Sequence, residues 1–184
     1  MSYLPTLTTP PSQAALTLDE AKAHLRLDHE DEDDLVASLI ETAQAHLDGP
    51  RGVLSSVLLH SEWCEIFNLQ NVKTIELRQS PISSISSVSV GGELLEPSSY
   101  ALRHRDTGLS IILLDYAITS DDVQVHYYAG YETPEKIPAP LKHAMKLHIG
   151  SLYELRETEV IGAMSTRLPH YDILIGPYKR KRIG

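Results

Sequence analysis

Two stretches of helically spaced apolar residues stand on either side of a long block whose apolar residues alternate or run in short β-type segments. That change of period constrains the chain more than any other feature. Leu35, Val36, Leu39, Ile40, Ala43 and Leu47 recur at three- and four-residue intervals, as do Leu141, Ala144, Met145, His148, Leu152 and Leu155, which predicts two amphipathic helices. Between them lie strand-length runs: Val57 to Phe67, Val72 to Leu77, Ile85 to Val90, Tyr100 to Arg103, Ser110 to Leu114 and Val123 to Tyr128. In the last run Val123, Val125 and Tyr127 share one face and Gln124 and His126 the other, because successive strand side chains point to opposite faces. Gly91-Gly92 is a hairpin signal.

Punctuation sharpens the order. Thr17-Leu18-Asp19-Glu20 fits a capping box, followed by a short helix with Leu18, Ala21 and Leu25 on one face and an end near Leu27. Gly49-Pro50-Arg51-Gly52 stops the second helix. Pro138-Ala139-Pro140 opens the third, where a proline loses no hydrogen bond. Leu168 to Tyr178 predicts one more short helix after a polar loop, Thr158 to Arg167. The fold class is α+β: a small helical bundle with an antiparallel β subdomain inserted between the second and third helices. The expected divisions are a flexible N-terminal arm (1–15), a helical part (16–52), the β insertion (53–132), and a returning helix with a basic C-terminal segment (133–184).

Chemistry is harder to find. The chain has 184 residues and a formal net charge of −9, which argues against a surface that grips phosphates throughout. Cys64 is the lone cysteine, so no intrachain disulfide forms, and a buried, inert thiol is expected. No apolar run reaches the length of a membrane span, and the first thirteen residues lack the basic start and apolar stretch of a signal peptide. Synthesis and assembly in the cytosol is the default expectation.

The run Asp28-His29-Glu30-Asp31-Glu32-Asp33-Asp34 alternates like the opening of a calcium loop, but Asp33 stands where glycine makes the turn and Leu39 where a bidentate glutamate belongs. Charge at a helix N-terminus explains the run without a metal. His24 and His29 are five apart, as are His143 and His148, a spacing that splays two side chains on a helix rather than pairing them. No nucleophile elbow, phosphate loop or dinucleotide fingerprint occurs. No catalytic residue, metal or cofactor is assigned.

Two clusters remain. The basic run Lys179-Arg180-Lys181-Arg182 either complements a helix end or contacts an acidic partner or DNA. Tyr127, Tyr128 and Tyr131 suit a subunit interface, where large area and a polar tip are useful, and suit a strand-end core equally.

Several segments, in order, resemble the head–tail connector (adaptor) family of tailed phages and gene-transfer agents, in its long form with a β insertion. The opening Leu16 to Asp28 (Leu-Thr-Leu-Asp-Glu-Ala-Lys-Ala-His-Leu-Arg-Leu-Asp) followed by an acidic stretch and a long helix carries most of the likeness. Ile75-Glu76-Leu77, Pro81-Ile82, Tyr100-Ala101-Leu102, Val125 to Tyr131, Leu141 to Ala144, Leu152-Tyr153-Glu154 and Leu168 to Arg180 continue it. The region Arg103 to Asp122 is short against that pattern, and residues 1–15 have no counterpart in it.

The resemblance implies a structural virion protein, assembled in the bacterial host cytoplasm. It would be a dodecameric ring of identical chains under the portal, bearing the stopper (head-closure) protein and then the tail, with DNA passing through the lumen without sequence specificity. It also implies portal contacts at the C-terminal segment: Tyr171, Ile173, Leu174, Tyr178, Lys179, Arg180, Lys181 and Arg182. The other readings are a different virion completion protein (a stopper or tail-completion protein) or a small α+β hydrolase.

Overall fold

The computed structural model describes residues 4–104, 110–154 and 169–180. The first helix, α1 (Leu18–Leu25), begins as its sequence predicts. The Thr17 hydroxyl accepts from the Glu20 amide and the Glu20 carboxylate accepts from the Thr17 amide, both at 3.1 Å, so two otherwise orphaned N–H groups are satisfied reciprocally. Arg26, at φ 61°, ends the helix in the left-handed region. In α2 (Asp33–Leu47) the buried residues are Val36, Ile40, Ala43 and Leu47. The stop that follows is steric as well as conformational. A Cβ on Gly52 would lie 2.3 Å from the Asp48 carbonyl oxygen and 2.4 Å from that of Leu47, so only glycine lets the chain turn back this tightly.

α3 (Ala139–Glu154) buries Leu141, Ala144, Met145 and Ile149, and α4 (Pro169–Ile175) follows. His148 and Leu152, predicted for the apolar stripe, are only half-buried; Ile149 takes the central place, and Leu155 lies outside the described residues. So does the predicted loop Thr158 to Arg167. α2 and α3 pack on each other from opposite ends of the sequence, forming one apolar core with α1 and Ile175.

The sheet has six strands: β1 (Thr6–Thr9), β2 (Ser61–Leu77), β3 (Ile82–Val90), β4 (Glu93–Leu94), β5 (Tyr100–His104) and β6 (Ser110–Ala129). Their order is β1-β2-β6-β3-β4, with β5 also on β6, and every pairing is antiparallel. Gly91 and Gly92, at φ 58° and 87°, form the two-residue turn between paired Val90 and Glu93, the backbone that a tight hairpin requires. Along β6 the burial alternates as predicted: Val123, Val125 and Tyr127 point inward, Gln124 and His126 do not.

Two pairs of predicted strands turn out to be two long ones. Val57 to Phe67 and Val72 to Leu77 were separated in the sequence by polar Asn68, Gln70 and Asn71; the pairing of β2 with β6 runs on through this stretch with repeated register shifts. Bulges admit extra residues and bend the ladder without ending it. The bend lets the two halves of the long β2–β6 ribbon share one core, including Trp63, Phe67, Ile75, Leu77, Ile112 and Val125.

The N-terminal segment departs from expectation. Rather than a flexible arm, Thr6–Thr9 adds a strand to the β2 edge, with Leu7 opposite Trp63, and Pro5 is buried. The unpaired edge of β2 offers backbone hydrogen bonds that an extended, proline-limited segment can take up without needing an apolar pattern of its own. The helical and β layers meet at Leu58 to His60 and Gly130-Tyr131. There the His60 amide donates to the Tyr131 carbonyl at 2.9 Å and the Tyr131 amide to the Leu58 carbonyl at 3.0 Å. Leu54, Leu58 and Leu59, which the sequence assigned to the β insertion, belong to the helical core.

Candidate assembly surfaces

The C-terminal segment is held down at several points. Ile175 is fully buried in the helical core, with Leu174, Tyr171 and Tyr178 packed beside it. The Tyr171 ring lies beside the paired rings of His46 and His148, with ring centres 6.2 and 5.9 Å away; burial, with Asp172 adding to it, pushes its hydroxyl up to about 12. Lys179 pairs with Asp172 at 3.3 Å. Ile173 is the outward member, 70 % exposed, an apolar side chain presented to solvent on a short helix. Lys181 and Arg182 lie outside the described residues.

Arg180 is not part of a free basic tail. Its amide donates to the Leu54 carbonyl at 2.9 Å, and its Nη2 donates to the Leu77 carbonyl at 3.0 Å. The guanidinium lies 3.5 Å from the Glu76 carboxylate with the side chain 15 % exposed. One residue thus ties the loop after α2 to the end of β2. A guanidinium suits this place because its planar donors serve a carbonyl and a carboxylate together.

Behind it lies a buried carboxyl. The Glu65 side chain is fully buried, and burial pushes its pKa up to about 7 against the opposing pull of the Arg78 amide, the Arg78 guanidinium and Tyr127. The Arg78 amide donates to Glu65 Oε2 at 3.1 Å, and the Tyr127 hydroxyl donates to the same oxygen at 3.3 Å. Tyr127 itself is 0 % exposed. It is therefore a core residue, which corrects its assignment to a subunit interface: the strand alternation that places Val123 and Val125 inward places Tyr127 inward too. Tyr128 faces the other way and stacks on His60, with ring centres 4.9 Å apart. Tyr131 is half-buried against the helical core. The three tyrosines thus serve three separate environments.

What the sequence missed is a pairing of histidines between helices. His143 and His148 do splay apart on α3, but each meets a histidine of another helix: His24 of α1 at 6.3 Å and His46 of α2 at 4.6 Å, between ring centres. Burial, then the neighbouring His143 and Lys146, lowers the His24 pKa; burial, then His46, lowers that of His148. No spacing rule within one helix could have revealed contacts between helices. The acidic run is tied to the bundle through Lys22–Asp33 at 2.5 Å and a hydrogen bond from the Tyr153 hydroxyl to Glu32. Among the described residues no three metal-ligating side chains come together. Cys64 is half-buried, its thiol pushed up by burial and by the carboxylates of Glu65, Asp122 and Glu62.

Residues 15–90, from the start of the capping box to the end of β3, match the model of the phage gp6-like head-tail connector proteins. That match covers the first two helices and the first long strands of the sheet, and makes this part of the chain similar to the head–tail connector family. The fold of the chain is similar over nearly its full length to that of chains in gene transfer agent particles. One, from the neck of an empty particle computed with C6 symmetry, is 20% identical with a TM-score of 0.79, over 99% of this chain and 98% of that one. Another, from the virion of a native particle, is 18% identical with a TM-score of 0.77 over the same shares. A third, from the neck of a native particle computed with C12 symmetry, is 16% identical with a TM-score of 0.71, again over 99% and 98%. No curated protein matches the chain. At 99% coverage the shared fold leaves out no more than a few residues, so it takes in most of the N-terminal segment for which the sequence resemblance offered no counterpart. Among the described residues, no helix is long and apolar enough to cross a membrane.

Proposed function

We propose that the chain is a head–tail connector that closes into a ring of identical subunits at the head-to-tail junction. It would sit on the portal, carry the stopper and then the tail, and let DNA pass through its lumen. The observation that carries the reading is the family match over the capping box, acidic run, long helix and first half of the sheet. The fold shared with neck chains supports it, and the C12 symmetry of one such neck favours twelve subunits. A negative net charge of −9 suits a channel that DNA slides through, because an acidic wall does not hold phosphates.

The C-terminal segment is the proposed portal contact, through the exposed Ile173 and the residues beyond Arg180. The internal hydrogen bonds of Arg180 narrow the useful truncation to residues 181–184, since removing Arg180 would disturb the layer junction as well. The experiment is negative-stain electron microscopy of the chain with a cognate portal. Rings seated on the portal are expected, and truncation after Arg180 or Ile173→Asp should weaken docking with thermal unfolding unchanged. A chain that stays monomeric at high concentration and ignores portal would overturn the reading.

A further inference from the structure

A groove opens on the outer face of α3. It is lined by Ala139, Pro140, Lys142, His143, Lys146 and, from α4, Leu174. Its floor is apolar and its wall cationic, in a chain whose net charge is −9. The Lys142 and Lys146 ammonium groups lie 2.9 and 3.8 Å from a single Glu20 carboxylate oxygen. The two cations meet at one carboxylate oxygen, with Glu135 also within electrostatic reach of Lys142, and each ammonium has three donors, so donor capacity remains at the groove.

The acidic corner between α1 and α2 has the opposite character. Asp28, Glu30, Asp31 and Asp34 are exposed, the Asp31 carboxylate 93 % so. Beside them Leu35, in the first turn of α2, is left 36 % exposed. An apolar side chain flanked along the chain by exposed acids complements a groove lined by Ala139, Pro140 and Leu174 together with Lys142 and Lys146.

We infer that the acidic corner of one subunit, Asp31, Asp34 and Leu35, seats in the α3 groove of the next copy of this chain. The inference rests on the ring reading above and gives it a contact. A closed ring of identical subunits needs a heterologous interface, in which two different faces of the same chain are complementary. Charge and apolarity match at both partners here, and opposite charge selects this register over a groove-to-groove or corner-to-corner meeting. Burial of Leu35 against Pro140 and Leu174 would supply the desolvated centre, with the ion pairs at its rim.

The test uses the full chain with Cys64→Ser as background. One preparation carries Asp31→Cys, the other Ala139→Cys; they are mixed under mild oxidation and the covalent dimer is read on a non-reducing gel. Because each chain holds one thiol, a dimer joining the two kinds reports contact between copies. The expected result is that this mixed dimer forms at several times the rate of a control pair in which Glu93→Cys replaces Asp31→Cys. Lys146→Glu should weaken self-association about tenfold in sedimentation analysis, and Asp34→Lys in the same chain should restore it, as complementary charge pairs do. Rings by microscopy with no excess of mixed dimer overturn the corner-in-groove contact and leave the ring standing. A groove cysteine that cross-links only to another virion protein also overturns it. A chain that remains monomeric at every concentration, alone and with portal, overturns both.

Discussion

Glu65 and Arg180 show how much a single buried side chain decides. Glu65 has a folded pKa of about 7 against an ordinary value of 4.5. The folded state therefore holds a proton that the unfolded chain has released across that window. Its contribution to stability is full below pH 4.5 and lost as pH rises through 7, roughly 3 kcal/mol across the window. Glu65→Gln keeps the shape and removes the titration. Urea unfolding of the variant should show that part of the pH dependence gone and stability at pH 8 raised. A variant less stable than the parent at pH 8 would mean that the charged pair with Arg78 stabilises after all. Arg180→Ala leaves the Leu77 carbonyl without its donor, a loss of roughly 1–3 kcal/mol, read as a lower Tm.

At the scale of elements, α3 carries a pH response of opposite sign. His24 and His148 have lowered pKa values in the fold, so the unfolded chain takes up protons first as pH falls through 6.5. Packing of α3 on α1 and α2 should weaken below that pH. His148 faces His46 from α2 and Tyr171 from α4, with Asp172 and Lys179 paired close by. His148→Gln should therefore slow acid-induced amide exchange in α3 and α4 and leave the sheet untouched. In the Glu65→Gln background, where the opposing effect is gone, the acid loss should stand alone in urea titrations. The element ends were readable in advance where local chemistry sets them, as in the reciprocal Thr17–Glu20 bonds and the Gly91-Gly92 turn. The continuity of β2 and β6 was not, because a polar break looks the same in sequence whether the chain turns away or bulges against a partner strand.

For the whole molecule, the largest departure is the N-terminal segment. With Thr6–Thr9 on β2, the sheet has a covered edge where the chain would otherwise present free backbone donors and acceptors. Deleting residues 1–10 should expose that edge and produce concentration-dependent association of irregular size in light scattering. Unchanged behaviour would show that the strand plays no protective part.

Apolar period, caps and glycine turns act over a few residues, so the sequence alone determined the α+β order, the first helix start, the hairpin and the inward face of β6. It also carried the family likeness, which resides in the order of those local signals. Tertiary structure alone decided that Tyr127 is core, that Arg180 bridges two layers, that the histidines pair across helices and that the N-terminal segment is a strand. Each of those depends on which distant segment arrives alongside, and packing settles that through burial and hydrogen bonding that no local pattern encodes.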